Sequence, residues 1–112
     1  LVINFASTVT IDAAVFDTPI ICINFDYNGK RPYKISPRKI YDFDHYKKLC
    51  ETKGFIFSKS KESLIKDINY SISNPNYLQI ERKTIVKSQC KFTDGFSGKR
   101  IADYIIKKVD NS

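Results

Sequence analysis

The stretch Asn4–Asp26, NFASTVTIDAAVFDTPIICINFD, decides how this chain folds. Together with the residues just ahead of it, Leu1–Phe5 is a short apolar run, the pattern of a buried parallel strand. The run breaks at Ala6-Ser7-Thr8. From about Thr8 to Phe16 the spacing is helical, with Val9, Ala13 and Phe16 on one face. Thr18-Pro19 stops the helix, and Ile20–Phe25 is a second buried strand. Strand, small hydroxylated turn, helix and strand make a right-handed crossover between parallel strands. The turn lies where a helix N-terminus presents unpaired N–H groups and positive partial charge. Such a turn can hold a phosphate, or Ser7 and Thr8 can simply cap the helix.

Working outward, Asp26 to Asp42 reads as a long loop with Asn28-Gly29, Pro32 and Pro37 as breakers. It carries Lys30, Arg31, Lys34, Arg38 and Lys39 against Asp26 and Asp42. Loops of this length in compact domains are usually functional or mobile. Asp44 is suited to N-cap a helix running to about Lys53, with Gly54 as the residue after its end. Phe55-Ile56-Phe57 is a third strand. Ser60 caps the next helix, which has Leu64, Ile65, Ile68 and Ile72 as its apolar stripe and ends at Asn74-Pro75. A helix from about Asn76 to Cys90 follows, and a final one from Ser97 carries Ile101, Ile105 and Val109. The expected fold is therefore α/β: a partial, doubly wound, Rossmann-like parallel sheet of about three strands with flanking helices.

At 112 residues the chain is one domain or part of one. A hydrophobic content of 42% is enough for a packed core. The balance of 19 Lys+Arg against 12 Asp+Glu, a net +7, favours an anionic partner such as nucleotide, nucleic acid or acidic lipid. Cys22, Cys50 and Cys90 have no metal-site or paired spacing and read as reduced thiols of a cytoplasmic protein. His45 is the only histidine, so a His-based catalytic dyad or metal site is excluded. No membrane span or signal peptide is visible. Three strands are few for a complete doubly wound domain, and the chain opens directly on a strand, so residues 1–112 are expected to be a piece of a longer protein.

The order Ser7-Thr8, Asp12 and Pro19 resembles the donor-site segment of GT-B glycosyltransferases: a small-residue turn, an acidic residue on the helix, and a proline opening the next strand. The likeness is nearest to bacterial surface-polysaccharide transferases and to the CDP-glycerol glycerophosphotransferases of wall teichoic acid synthesis. Asp44-His45-Tyr46, the segment Ser58–Leu64, Asn74-Pro75, and Asp94-Gly95 followed by Arg100-Ile101-Ala102-Asp103 extend it over nearly all of the chain. Sugar-nucleotide enzymes commonly have Glu where Asp12 stands, whereas the polyol-phosphate branch also uses Asp, which leaves the donor class open.

The resemblance implies the C-terminal half of a GT-B domain, the nucleotide-donor-binding part, with an acceptor domain upstream. It implies transfer from a nucleotide-activated donor to a hydroxyl acceptor, lipid-linked or not, without metal or other cofactor. Ser7 and Thr8 would hold the donor phosphates, Asp12 would accept the ribose hydroxyls, and His45 is a further candidate donor contact. The catalytic base would come from the upstream domain, so none is assigned here. The basic loop suggests peripheral contact with an anionic membrane at the inner face; no specific nucleic-acid motif is present. The alternatives are a CDP-activated polyol-phosphate transferase and a non-catalytic basic module that binds nucleotide or RNA.

Overall fold

Three apolar runs become strands: β1 (Val2–Asn4), β2 (Ile20–Ile23) and β3 (Ile56–Ser58). They are seen in a computed structural model that describes all residues from 1 to 112. The sheet order is β1-β2-β3, and both pairings are parallel, Val2 opposite Ile20 and Ile21 opposite Ile56. All three strands therefore end at the same edge of the sheet, where the loops leading into the helices gather. β2 stops at Ile23 rather than at Phe25, although the Asn24 amide still donates to the Ser58 carbonyl at 2.8 Å.

The first crossover is helix α1 (Val9–Val15). Its buried face is Thr10, Ala13 and Ala14, not the expected Val9, Ala13 and Phe16, since Phe16 is 81% exposed. Small side chains let the helix lie close to the sheet, and the bulky ones are turned away. Successive strand residues face opposite sides, so Ile20 and Cys22 join the cluster formed with Ala13, Ala14, Leu49 and Ile85. Ile21 and Ile23 face the other way.

The long segment after β2 is structured. A 3-10 turn at Tyr33–Ile35 leads into α2 (Pro37–Tyr41), which has Pro37 at its first position and Ser36 as its cap. Helix α3 (Asp44–Glu51) follows at once, capped by Phe43, with Asp44 inside the first turn rather than ahead of it. It ends through Lys53, whose φ of 55° supplies the left-handed residue expected of Gly54. Gly54 is required for space instead. A Cβ there would lie 2.9 Å from the Glu81 carbonyl and overlap the Ile85 side chain.

Helix α4 (Lys61–Ser73) packs on β2 and β3. Ser60 and Ser63 exchange side-chain and backbone hydrogen bonds at its start, so the expected Ser60 cap is a full capping box. Leu64, Ile68 and buried Ser71 face the protein, while Ile65 and Ile72 are exposed. Asn74-Pro75 ends α4 as expected. Helix α5 (Gln79–Gln89) begins three residues later than the sequence suggests, after Leu78 in the left-handed region, and packs against α1. Helix α6 (Ser97–Asp110) has the expected apolar stripe, yet none of its residues is buried. Cys22, Cys50 and Cys90 are free thiols.

The join between α1 and α5 rests on Arg82. Its guanidinium, 2% exposed, donates to Asp17 Oδ1 at 3.0 Å and to the carbonyls of Tyr77 and Pro75. The Gln79 amide also donates to Asp17, and these two donors hold the Asp17 carboxyl below its ordinary 3.8. A depressed carboxylate contributes stability above its unfolded pKa and loses it as pH falls through the folded value. Asp17 has φ 50°, a conformation that Asn also tolerates. Asp17→Asn is therefore expected to lower the urea midpoint at neutral pH, with the gap to the parent closing in acid below 3.8. A gap that stays constant with pH would show that the charge has no part in the join.

Candidate functional site

The Ala6–Thr8 turn sits at the carboxyl end of β1, where the crossover requires it. Ala6 is left-handed, with φ 44°. Its amide donates to the Tyr41 hydroxyl at 3.2 Å, and that hydroxyl donates to the Ile23 carbonyl at 2.6 Å. The Ser7 amide donates to Asn4 Oδ1, and Ser7 Oγ accepts from the Val9 amide at 3.3 Å. The Thr10 amide is bonded to the Ser7 carbonyl. Thr8 holds the N-cap position of α1, and the polar atoms of Ser7 are engaged within the turn. Thr8 is exposed and makes no side-chain cap bond. Asp12 is exposed one turn further along α1. His45 is exposed on α3, its ring centroid 6.0 Å from that of Phe43.

Beneath the turn lies a buried polar cluster. Thr10 Oγ1 bonds the Tyr46 hydroxyl at 3.1 Å, meets the Asn4 side chain at 3.1 and 3.3 Å, and touches Cys22 Sγ at 3.8 Å. Burial pushes the Cys22 thiol and the Tyr41 and Tyr46 hydroxyls up, away from their ionised forms, and raises Cys50 to about 11. These groups are therefore structural at neutral pH, with no activated thiolate among them.

The carboxyl ends of β2 and β3 open into a cleft with two compartments. The first, about 420 Å³, is apolar, with Phe5, Ile23, Phe25, Ile35 and Leu64 among its walls. The second, about 630 Å³, is cationic, with Lys30, Arg38, Lys59 and Lys61 around Asn24 and Asp26. Phe25, Asp26, Tyr27 and Lys61 belong to both. Asp26 organises the wall: its Oδ2 accepts from the Arg31 amide at 3.0 Å and from Ser36 Oγ at 3.2 Å, with Arg38 at 3.8 Å. Its Oδ1, like Asn24 Oδ1, is buried without a partner.

The first turn of α4 closes the far side of the cleft. There the backbone amide of Glu62 and the Ser60 side chain hold the exposed Glu62 carboxyl below its ordinary pKa. None of the residues expected from the sequence to bind a donor, Ser7, Thr8, Asp12 and His45, lines either compartment; Phe5, just ahead of the turn, lines the apolar one. Sequence reasoning missed Asn24, Asp26, Lys59 and Lys61; the available signal was their position at the carboxyl ends of parallel strands, where α/β sheets bind ligands.

No group of three or more His, Cys, Asp or Glu is placed to hold a metal ion, and no helix is long and apolar enough to cross a membrane. No family model, curated protein or solved structure matches the chain. What defines the molecule is thus its own geometry, an α/β protein with an open three-stranded parallel sheet and a cleft at its carboxyl edge.

Tyr41→Phe removes the hydroxyl that joins the Ala6 turn to β2. It leaves one carbonyl and one amide without their partner, a cost of about 1–3 kcal/mol for a buried group left unsatisfied. Chemical denaturation should show that loss, and hydrogen exchange should quicken at Ala6. An unchanged Ala6 exchange rate would mean that the turn holds its shape unaided.

Proposed function

We propose that this chain is the donor-nucleotide-binding part of a GT-B-like glycosyltransferase, which passes a sugar from a nucleotide-activated donor to a hydroxyl acceptor in surface polysaccharide synthesis. The observation that carries this reading is the two-compartment cleft at the carboxyl edge of the parallel sheet, beside the Ala6–Thr8 turn. An activated donor joins uncharged rings to a diphosphate, and an apolar chamber continuous with a cationic one suits such a molecule. Transfer leaves charge on the departing nucleotide phosphate. Lys30, Lys59 and Lys61 are cations near that edge, and positive charge placed beside a departing phosphate lowers the barrier for such a leaving group. Thr8 adds a hydroxyl that the fold does not use, and Asp12 stands one turn behind it for the ribose.

A CDP-activated polyol-phosphate donor is the alternative within the same class, since Asp at position 12 suits both. A non-catalytic basic module for nucleotide or RNA is the alternative outside it.

Calorimetric titration of nucleoside diphosphates into the 112-residue chain tests the reading. Thr8→Val should weaken binding by about 1–3 kcal/mol, the range for hydrogen bonds to charged groups, and leave the melting temperature in place. Asp12→Asn should weaken nucleoside diphosphate far more than inorganic diphosphate, which has no ribose. Identical affinities in parent and variants would remove these two residues from the site. Tighter binding of single-stranded RNA than of any nucleoside diphosphate would favour the non-catalytic module.

A further inference from the structure

We infer that Asn24 and Asp26 read the hydroxyl groups of a phosphorylated sugar or polyol whose phosphate rests on Lys59 and Lys61. Asn24 Oδ1 and Asp26 Oδ1 are both buried, both without a partner, and both residues line the cationic compartment. An orphaned buried acceptor calls for an O–H or N–H donor, while the unpaired lysines around it, Lys30, Lys59 and Lys61, call for an anion. Inorganic phosphate satisfies the cations but has only one or two P–OH groups, on the same atom that meets the cations, to offer the two oxygens. A neutral sugar does the reverse, and an amine is repelled. A phosphate ester carrying several hydroxyls answers both demands.

The neighbouring chamber supports the same ligand class. Phe25 and Tyr27 belong to both compartments and offer aromatic surface to the C–H face of a ring. The Lys61 ammonium lies 5.8 Å from the centre of the Tyr27 ring, at the junction of the two compartments. Both side chains are exposed. Because the Ser60–Ser63 capping box engages the start of α4, side-chain cations rather than the helix end carry the phosphate. This deepens the transferase reading and rests on it for the source of the ligand, the sugar-phosphate portion of the donor.

The test compares two probes of equal charge and similar ring size, glucose 1-phosphate and cyclohexyl phosphate, by NMR shift titration of the 112-residue chain. The parent is expected to prefer glucose 1-phosphate by at least about tenfold, the effect of a hydrogen bond or two to buried acceptors. Asn24→Ala removes a side chain with no hydrogen bond in the fold and should abolish most of that preference. Lys59→Gln with Lys61→Gln should weaken both probes alike. Equal binding of the two probes by the parent overturns the inference without any variant. So does a preference that survives Asn24→Ala. If nucleoside diphosphates bind while the probes are not distinguished, the inference fails and the transferase reading stands. If the probes are distinguished and no nucleoside diphosphate binds, the assignment of Asn24 and Asp26 stands and the transferase reading fails.

Discussion

The hydroxyl of Thr10 holds together the elements that the rest of the structure is built on. It is fully buried on α1 and meets Asn4 on β1, Cys22 on β2 and Tyr46 on α3. A buried polar group without partners is costly, so a cluster of this kind is satisfied in one arrangement and penalised in its neighbours. Moving α1 by one residue along the sheet would place Val9 or Ile11 against three polar atoms. The crossover register, the position of α3 and the place of the Ala6–Thr8 turn thus follow from one side chain and its box of partners. Tyr41, packed edge-on against Tyr46 at 5.2 Å, carries the same order outward to the end of β2.

The basic segment after β2 is ordered by a similar device nearer the surface. Asp26 gathers a backbone amide, a hydroxyl and a guanidinium, and Arg38 also donates to Ser36 Oγ and the Arg31 carbonyl. Tyr33 donates to Asp42 across the same loop, and that bond raises its own pKa. Three of the seven charged residues in this segment, Asp26, Arg38 and Asp42, are therefore fasteners. The charge left over, on Lys30, Arg31, Lys34 and Lys39, is what a ligand or surface can meet.

Much of this architecture was legible in the sequence. Apolar runs separated by helical spacing and a proline stop give three parallel strands in order, and Ser60 announced its capping box through local chemistry alone. The misses share a cause, since each depends on contacts remote in sequence. The inner face of α1 is set by how near the sheet lies, which favours Thr10, Ala13 and Ala14 over the larger Val9 and Phe16. Gly54 was read as a helix terminator because glycine tolerates left-handed backbone, whereas its true constraint is Ile85, thirty-one positions away. The segment Asp26–Asp42 looked like a loop because its breakers are visible, while the Asp26 bonds that turn Pro37 from a breaker into a helix start are not. The cleft residues escaped notice because no motif marks a strand's carboxyl end; only the parallel pairing does.

Helix α6 behaves as a separate thermodynamic object. None of its fourteen residues is buried, and helices near that length are marginal in water when unsupported. What holds it is local: a Lys99–Asp103 pair at 2.7 Å, the Asp94 carboxylate on Arg100, and the Arg100 guanidinium stacked 3.8 Å over the Phe92 ring. Those contacts are screened by salt, whereas the Thr10 box is not. Opening of the last helix is therefore expected to cost less than opening of the sheet, and less still at high ionic strength.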